Sequence, residues 1–283
     1  MAERVAVITG GTGGLGTALV RRLLTHDIRL AVTYILPDEA TAFEEKFDID
    51  EDRVILRRID ATNPEAITTF MKEVADTWGA IHHLVSLVSG WAGGRDVEET
   101  DDVRFERMLD LNLRSSFYAV RAAVPYLRAA GWGRILLIGS RAVEDNPPGQ
   151  VAFNIAKAGV VALAQTAAHE LESSGVTANV LMPSLIDTPV TRAALPYADY
   201  VHWPTPDEIA SVSVVAADSP SGSAPVTTDG IQPLRPGTTA PTLPEDGAAS
   251  PAPPSPLPSP PPERSGKKPS RKPQRNTSPK CAR

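Results

Sequence analysis

Thr9-Gly10-Gly11-Thr12-Gly13-Gly14-Leu15-Gly16 separates an apolar run, Val5-Ala6-Val7-Ile8, from a stretch in which Leu15, Leu19, Val20, Leu23 and Leu24 return at helical spacing, with Arg21 and Arg22 on the other face. A short apolar run without polar alternation reads as a strand buried on both faces, as in a parallel sheet. The spacing that follows is that of an amphipathic helix. Glycine serves such a strand-to-helix turn in three ways: it tolerates positive φ, lets a phosphate approach bare main chain, and allows tight helix-on-strand packing. The turn satisfies G-x-G-x-x-G through Gly11, Gly13 and Gly16, and T-G-x-x-x-G-x-G through Gly10, Gly14 and Gly16. In this setting it is a cradle for the pyrophosphate of a dinucleotide at a helix N-terminus.

Working outward, strand and helix patterns alternate. Strands are expected over 28–34, 53–59, 81–88, 133–139 and 176–182, and helices over 38–47, 64–78, 101–130 and 151–173. With the first strand this makes six strands with interleaved helices, which argues a doubly wound α/β parallel sheet, the Rossmann fold, in a single domain over 1–235. A further helix is expected over 206–217 and a short last strand over 226–231. Residues 1–235 hold 20 basic and 31 acidic side chains, whereas 236–283 hold 8 basic and 3 acidic ones and 14 of the 27 prolines. The second stretch lacks the apolar side chains to offset the entropy of ordering, so it reads as a disordered, basic, Pro-rich tail. The net charge of −6 gives no reason to expect nucleic acid as a partner. No stretch reads as a membrane span, the single cysteine, Cys281, forms no internal disulfide, and the chain reads as cytoplasmic. His82, His83 and His169 lack partners at metal-ligand spacing, so no metal is expected.

The turn occurs together with Asp60-Ala61 after the third strand, Asn112 within Leu111-Asn112-Leu113, Ser140 after Ile135-Leu136-Leu137-Ile138, Lys157 in the following helix, and Pro183-Ser184-Leu185-Ile186-Asp187-Thr188 after the sixth strand. Over roughly residues 3–230 the chain resembles the short-chain dehydrogenase/reductase family. The resemblance implies hydride transfer between NAD or NADP and a small ketone or secondary alcohol. It implies that Thr9, Gly10, Thr12, Gly14, Leu15 and Gly16 hold the cofactor phosphates, and that Asp60 and Ala61 lie at the adenine. Ser86 is expected to keep a polar contact to the cofactor, Pro183, Ile186 and Thr188 to meet the nicotinamide carboxamide, and Lys157 to hold the ribose. Ser140 would polarise the substrate oxygen and Asn112 would anchor a water near the site. The helices 101–130 and 151–173 match those that pair between subunits, so a homodimer or homotetramer is expected.

The chain departs from the family pattern at four places. The family's proton-donating tyrosine stands four residues before the lysine, and here that residue is Phe153. A phenyl ring carries no transferable proton, and losing a positioned general acid costs on the order of 10²–10⁴ in rate. Three readings of Phe153 stay open: a tyrosine lost from a working reductase, a relative that binds nucleotide without turnover, and an enzyme with another donor among Ser140, Tyr197, Tyr200 and His202. A non-redox lyase on the same scaffold is a further possibility. The family's N-N-A-G stretch reads as Ser86-Leu87-Val88-Ser89 followed by Gly90, which displaces a glycine. Ser184 replaces a glycine and is expected to take a backbone geometry natural to glycine. At the end of the second strand Thr33-Tyr34-Ile35 offers no acid for a ribose 2′-hydroxyl, and Asp38 reads as too far along. That absence leans the reading toward NADP and leaves NAD open.

Overall fold

The apolar run after the N-terminus forms β1 (Arg4–Thr9), which lies inside a seven-stranded sheet. The computed structural model describes residues 4–47, 49–195, 203–218 and 226–227. After β1 come α1 (Gly14–Leu23), β2 (Ile28–Tyr34), α2 (Pro37–Lys46), β3 (Val54–Arg58), α3 (Pro64–Trp78) and β4 (His83–Ser86). The second half holds α4 (Asp102–Met108), α5 (Ser115–Ala129), β5 (Gly133–Ile138), α6 (Ala142–Asp145), α7 (Val151–Leu171), β6 (Val176–Met182), α8 (Pro189–Ala194), α9 (Pro206–Asp218) and β7 (Val226–Thr227). The strand order is β3-β2-β1-β4-β5-β6-β7, and every pairing is parallel. The strand order reverses between β1 and β4, where Thr9 pairs with Ser86, and such a switch opens a crevice at the carboxyl ends of the strands.

Both faces of the sheet are covered, as the continuous apolar strands require. On one face Val7, Leu84, Ile135 and Val180 meet Phe70 of α3, Leu127 of α5 and Val160 of α7. On the other, Ile8, Val32, Leu136 and Leu181 meet Leu19 of α1, Phe43 of α2 and Ile209 of α9. The helix expected over 206–217 thus closes the second layer, and Arg21 of α1 pairs with Asp207 of α9 at 3.1 Å. The two histidines of 82–83 serve the sheet: His82 Nδ1 accepts from the Val5 amide at 3.1 Å, and His83 meets the edge of Trp132.

Several expectations change. The helix predicted over 101–130 is continuous from Asp102 to Ala129, but Leu109–Arg114 between α4 and α5 is π-helical. The strand predicted over 81–88 is confined to His83–Ser86. Of the strand predicted over 226–231, Val226 and Thr227 form β7 and the rest lies outside the described residues, as do Tyr197, Tyr200, His202 and the Pro-rich stretch 236–283. Ser184 takes no glycine-like geometry, since Asn146 is the one non-glycine residue with positive φ among the described residues. The stretch Val151–Ser174 has an 18-residue window of mean hydropathy 1.4, so by length and composition it is apolar enough to cross a membrane, contrary to the sequence expectation. Its apolar stripe, Ala152, Ala156, Val160, Ala164 and Leu171, is instead buried within the fold.

The tightest joint is at the glycine turn. A Cβ on Gly16 would lie 2.5 Å from the backbone of Gly11, whereas one on Gly13 would come no closer than 3.6 Å to the Gly10 carbonyl. Gly16→Ala is therefore expected to destabilise the fold by about 1–3 kcal/mol and Gly13→Ala by clearly less, as read from urea unfolding midpoints.

Candidate active site

The glycine turn is fixed from β2. The Gly11 amide donates to the Thr33 carbonyl at 3.0 Å and the Gly10 amide to the Thr33 hydroxyl at 3.1 Å, while Gly10 adopts φ +69°. These bonds consume the amides of the turn's first half. At α1, by contrast, no side chain caps the N-terminus and no acid stands in the first turn, so the amides of Gly14, Leu15 and Gly16 are directed at whatever occupies the crevice. Thr9 is buried at the end of β1. Thr188, the N-cap of α8, reaches the turn from the far end of the chain, with its methyl 3.3 Å from where a Cβ on Gly14 would stand. Thr188 also donates its amide to Ile186 O, and Pro183 O accepts from the Arg141 amide at 3.0 Å. The loop after β6 thus closes on the turn. These features fit a dinucleotide pyrophosphate: an uncapped helix terminus, and bare main chain where side chains would intrude.

Ser140 follows β5, Phe153 and Lys157 stand on α7, and Asn112 stands on the π-helical segment. Lys157 is only 3% exposed, and its Nζ donates to the Ile138 carbonyl at 2.8 Å, which ties α7 to the end of β5. Burial alone pushes its ammonium down to about 7. Phe153 lies one helical turn earlier, with its ring centre 5.8 Å from Lys157 Nζ. The ring is packed with Met108 and Ala152 and flanked by Ala92, Phe105, Leu111 and Ala142. Ser140 Oγ accepts from the Ala142 amide at 3.2 Å, which leaves its proton to donate elsewhere.

Asn112 is fully buried and its amide is saturated by protein. Its Oδ1 accepts from Ser89 Oγ at 2.8 Å and from the Gly90 amide at 3.3 Å, and its Nδ2 donates to Gly90 O at 2.9 Å and Met108 O at 3.0 Å. The side chain clamps the loop after β4. Because β4 ends at Ser86, the four residues that follow are Leu87-Val88-Ser89-Gly90, and the glycine thought displaced keeps the fourth place. A Cβ there would come within 2.7 Å of Leu111. Ser86 itself is 2% exposed, with its hydroxyl turned to Thr9 and Ser116, so it serves the inside of the fold and not an open crevice.

Asp60 accepts from the amide and hydroxyl of Thr62, at 2.9 and 2.7 Å, and beside it Ala61 is buried. Asp60 and Thr62 line an open cavity of about 710 Å³ with Ile35, Val103, Arg107 and Leu111. Arg141, beside Ser140, pairs with Asp145 at 3.1 Å. Sequence reading missed three contacts that shape the site: Thr12 donates to Glu39 at 3.2 Å, Trp91 donates to Gln150 at 2.7 Å beside Phe153's helix, and Lys157 donates to Ile138 O. Each joins positions far apart in the chain, and the acids at 38–39 were the one visible signal.

Comparison with known proteins agrees with this geometry. The family model for short-chain dehydrogenases matches residues 4–197. The chain is 34% identical over 198 residues to D-beta-hydroxybutyrate dehydrogenase of Rhizobium meliloti, covering 68% of this chain and 75% of the relative. It is 29% identical over 228 residues to the 3-oxoacyl-[acyl-carrier-protein] reductase MabA of Mycobacterium bovis, covering 77% of this chain and 87% of that one. Among solved structures, a putative 3-oxoacyl-reductase from Bacillus thuringiensis superposes with a TM-score of 0.69 at 26% identity, over 80% of this chain and 98% of that one. The parallel sheet with its glycine turn, the Asn112 clamp and the buried Lys157 thus stand in a chain that belongs to the short-chain dehydrogenase family.

Proposed function

We propose that this chain binds NAD(P)(H) at the glycine turn and transfers hydride between the nicotinamide and a small ketone or secondary alcohol, at a rate lowered by Phe153. The observation that carries the reading is the uncapped start of α1 beneath a turn where a Cβ on Gly11 or Gly16 would clash, in a fold that also buries Lys157. Relatives named as a hydroxybutyrate dehydrogenase and an oxoacyl reductase support a small carbonyl or hydroxyl substrate.

The nicotinamide, when bound, supplies or accepts hydride. Ser140 donates a hydrogen bond to the substrate oxygen, and Lys157 holds the ribose hydroxyls, which provide the acceptors that its single bond to Ile138 O leaves wanting. Thr188, Ile186 and Pro183 hold the carboxamide end, and Asp60 and Ala61 border the adenine. Asn112 acts by positioning, since its saturated amide fixes the loop after β4 and so the wall of the crevice. Phe153 stands where the family's phenol would give the oxygen its proton, and its ring excludes water without replacing that group. A catalytically silent nucleotide-binding or partner-regulating protein is the second reading, favoured by the same packed phenyl ring. Exposed Phe117 on α5 and Ile155 on α7, at 42% and 46%, support a homodimer or homotetramer through those helices. The compartment proposed is the cytoplasm.

Phe153→Tyr tests the reading directly. With NADH or NADPH and a panel of small ketones, turnover is expected to rise about 10²–10⁴-fold, while the unsubstituted chain binds cofactor, as read by fluorescence titration. Binding without turnover in either form establishes the silent reading, and absence of binding defeats both.

Lys157 gives a pH signature. Its folded value near 7 lies below the ordinary lysine value of 10.5, so between those pH values the unfolded chain binds a proton that the folded chain does not. Its contribution to stability therefore falls as pH drops from about 10.5 toward 7, by roughly 1.4 kcal/mol per pH unit, and is flat below. Lys157→Met is expected to remove that slope, measured by urea unfolding of both proteins between pH 7 and 9.5.

A further inference from the structure

The sequence offers no acid at the end of β2, yet the fold brings one to the same place from α2. Glu39 stands in the first turn of that helix, after Pro37 and Asp38. An acid there is ordinarily explained by the helix dipole. Glu39 does more, because its Oε2 accepts a hydrogen bond at 3.2 Å from the hydroxyl of Thr12, 27 residues earlier in the glycine turn. Thr12 is itself only 7% exposed. The carboxylate thus crosses from α2 to the phosphate cradle, over the edge formed where Thr33 holds Gly10 and Gly11. In a doubly wound nucleotide site the adenosine ribose lies between the turn and the end of the second strand, where an acid accepts from the 2′-hydroxyl and repels a 2′-phosphate.

We propose that Glu39, delivered to Thr12 by the first turn of α2, selects the dinucleotide that lacks a 2′-phosphate, so that this chain uses NAD(H) and discriminates against NADP(H). The proposal rests on the reading of the glycine turn as a dinucleotide site and reverses the leaning toward NADP drawn from the end of β2. A cation near the end of β2 is Arg58, at the end of β3, whose Nε donates to the Ile35 carbonyl at 3.1 Å. Asp38 precedes Glu39 in the first turn of α2 and adds negative charge. Among the described residues Glu39 pairs with no cation, so its charge is not cancelled locally, and like charges brought together at a binding site suppress the wrong partner.

The test is a fluorescence titration of the full chain with NADH and with NADPH, repeated on Glu39→Gln and Arg58→Gln. Glutamine retains an oxygen for Thr12 while removing the charge, so the turn keeps its anchor. The unsubstituted chain is expected to bind NADH about tenfold or more tighter than NADPH. Glu39→Gln is expected to tighten NADPH by about tenfold with NADH changed less than threefold, and Arg58→Gln to leave the ratio in place. Preference for NADPH in the unsubstituted chain overturns the proposal. So does a parallel shift of both ligands in Glu39→Gln, which marks a structural role, or a ratio that moves only in Arg58→Gln. Failure of both dinucleotides to bind any form, or to raise the melting temperature, overturns the dinucleotide reading itself and the selector with it.

Discussion

The contact between Gly16 and Gly11, too close for a Cβ by any repacking, sets the geometry on which the rest depends. It presses the first turn of α1 against the end of β1. Because Thr33 has already taken the amides of Gly10 and Gly11, the remaining main-chain donors belong to the helix itself and point outward. An N-terminus left without a side-chain cap is unfavourable in isolation. It becomes an asset where an anion can reach it. The same compression leaves Gly14 bare toward Thr188, so the loop after β6 registers on the turn without an intervening side chain.

The opposite wall is organised by two buried polar side chains with different fates. Asn112 satisfies its whole amide within the protein, and the π-helical segment that carries it is what lets one helix present that amide toward Gly90. Single π-turns of this kind recur at functional sites because they re-aim side chains within a continuous helix. Lys157 is the converse case, buried with one acceptor for three donors. One wall is thus closed chemically, and the other is completed only by a ligand.

Much of this was legible in the residues. The strand positions, the parallel arrangement and the turn followed from apolar runs and glycine spacing, which are local signals. Asn112, Ser140 and Lys157 were visible through the family pattern; the structure buries Asn112 and Lys157 and sets Ser140 just after β5. What escaped was tertiary. The π-helical segment at 109–114 has no proline or glycine to announce it, since every residue from Leu109 to Arg114 is compatible with an ordinary α-helix. Ser86 reads as a polar residue beside a site, but strand alternation turns its hydroxyl inward to Ser116. The acid sought at the end of β2 stands five residues beyond Tyr34, at Glu39, where helical geometry and not strand geometry decides its reach.

The pairing of Phe153 with Lys157 bears on what selection has kept. In the family the lysine serves two ends, holding the ribose and lowering the pKa of the phenol. With a phenyl ring in place, the second end is gone, yet the lysine remains buried in a setting that pushes it down to about 7 and gives it one carbonyl. An unsupported buried ammonium is among the costlier groups a core can hold, and a hydrophobic side chain of similar length would be more stable there. On the proposed reading, ribose hydroxyls complete the shell. The retained lysine therefore argues that nucleotide binding persists in this chain, separately from proton transfer.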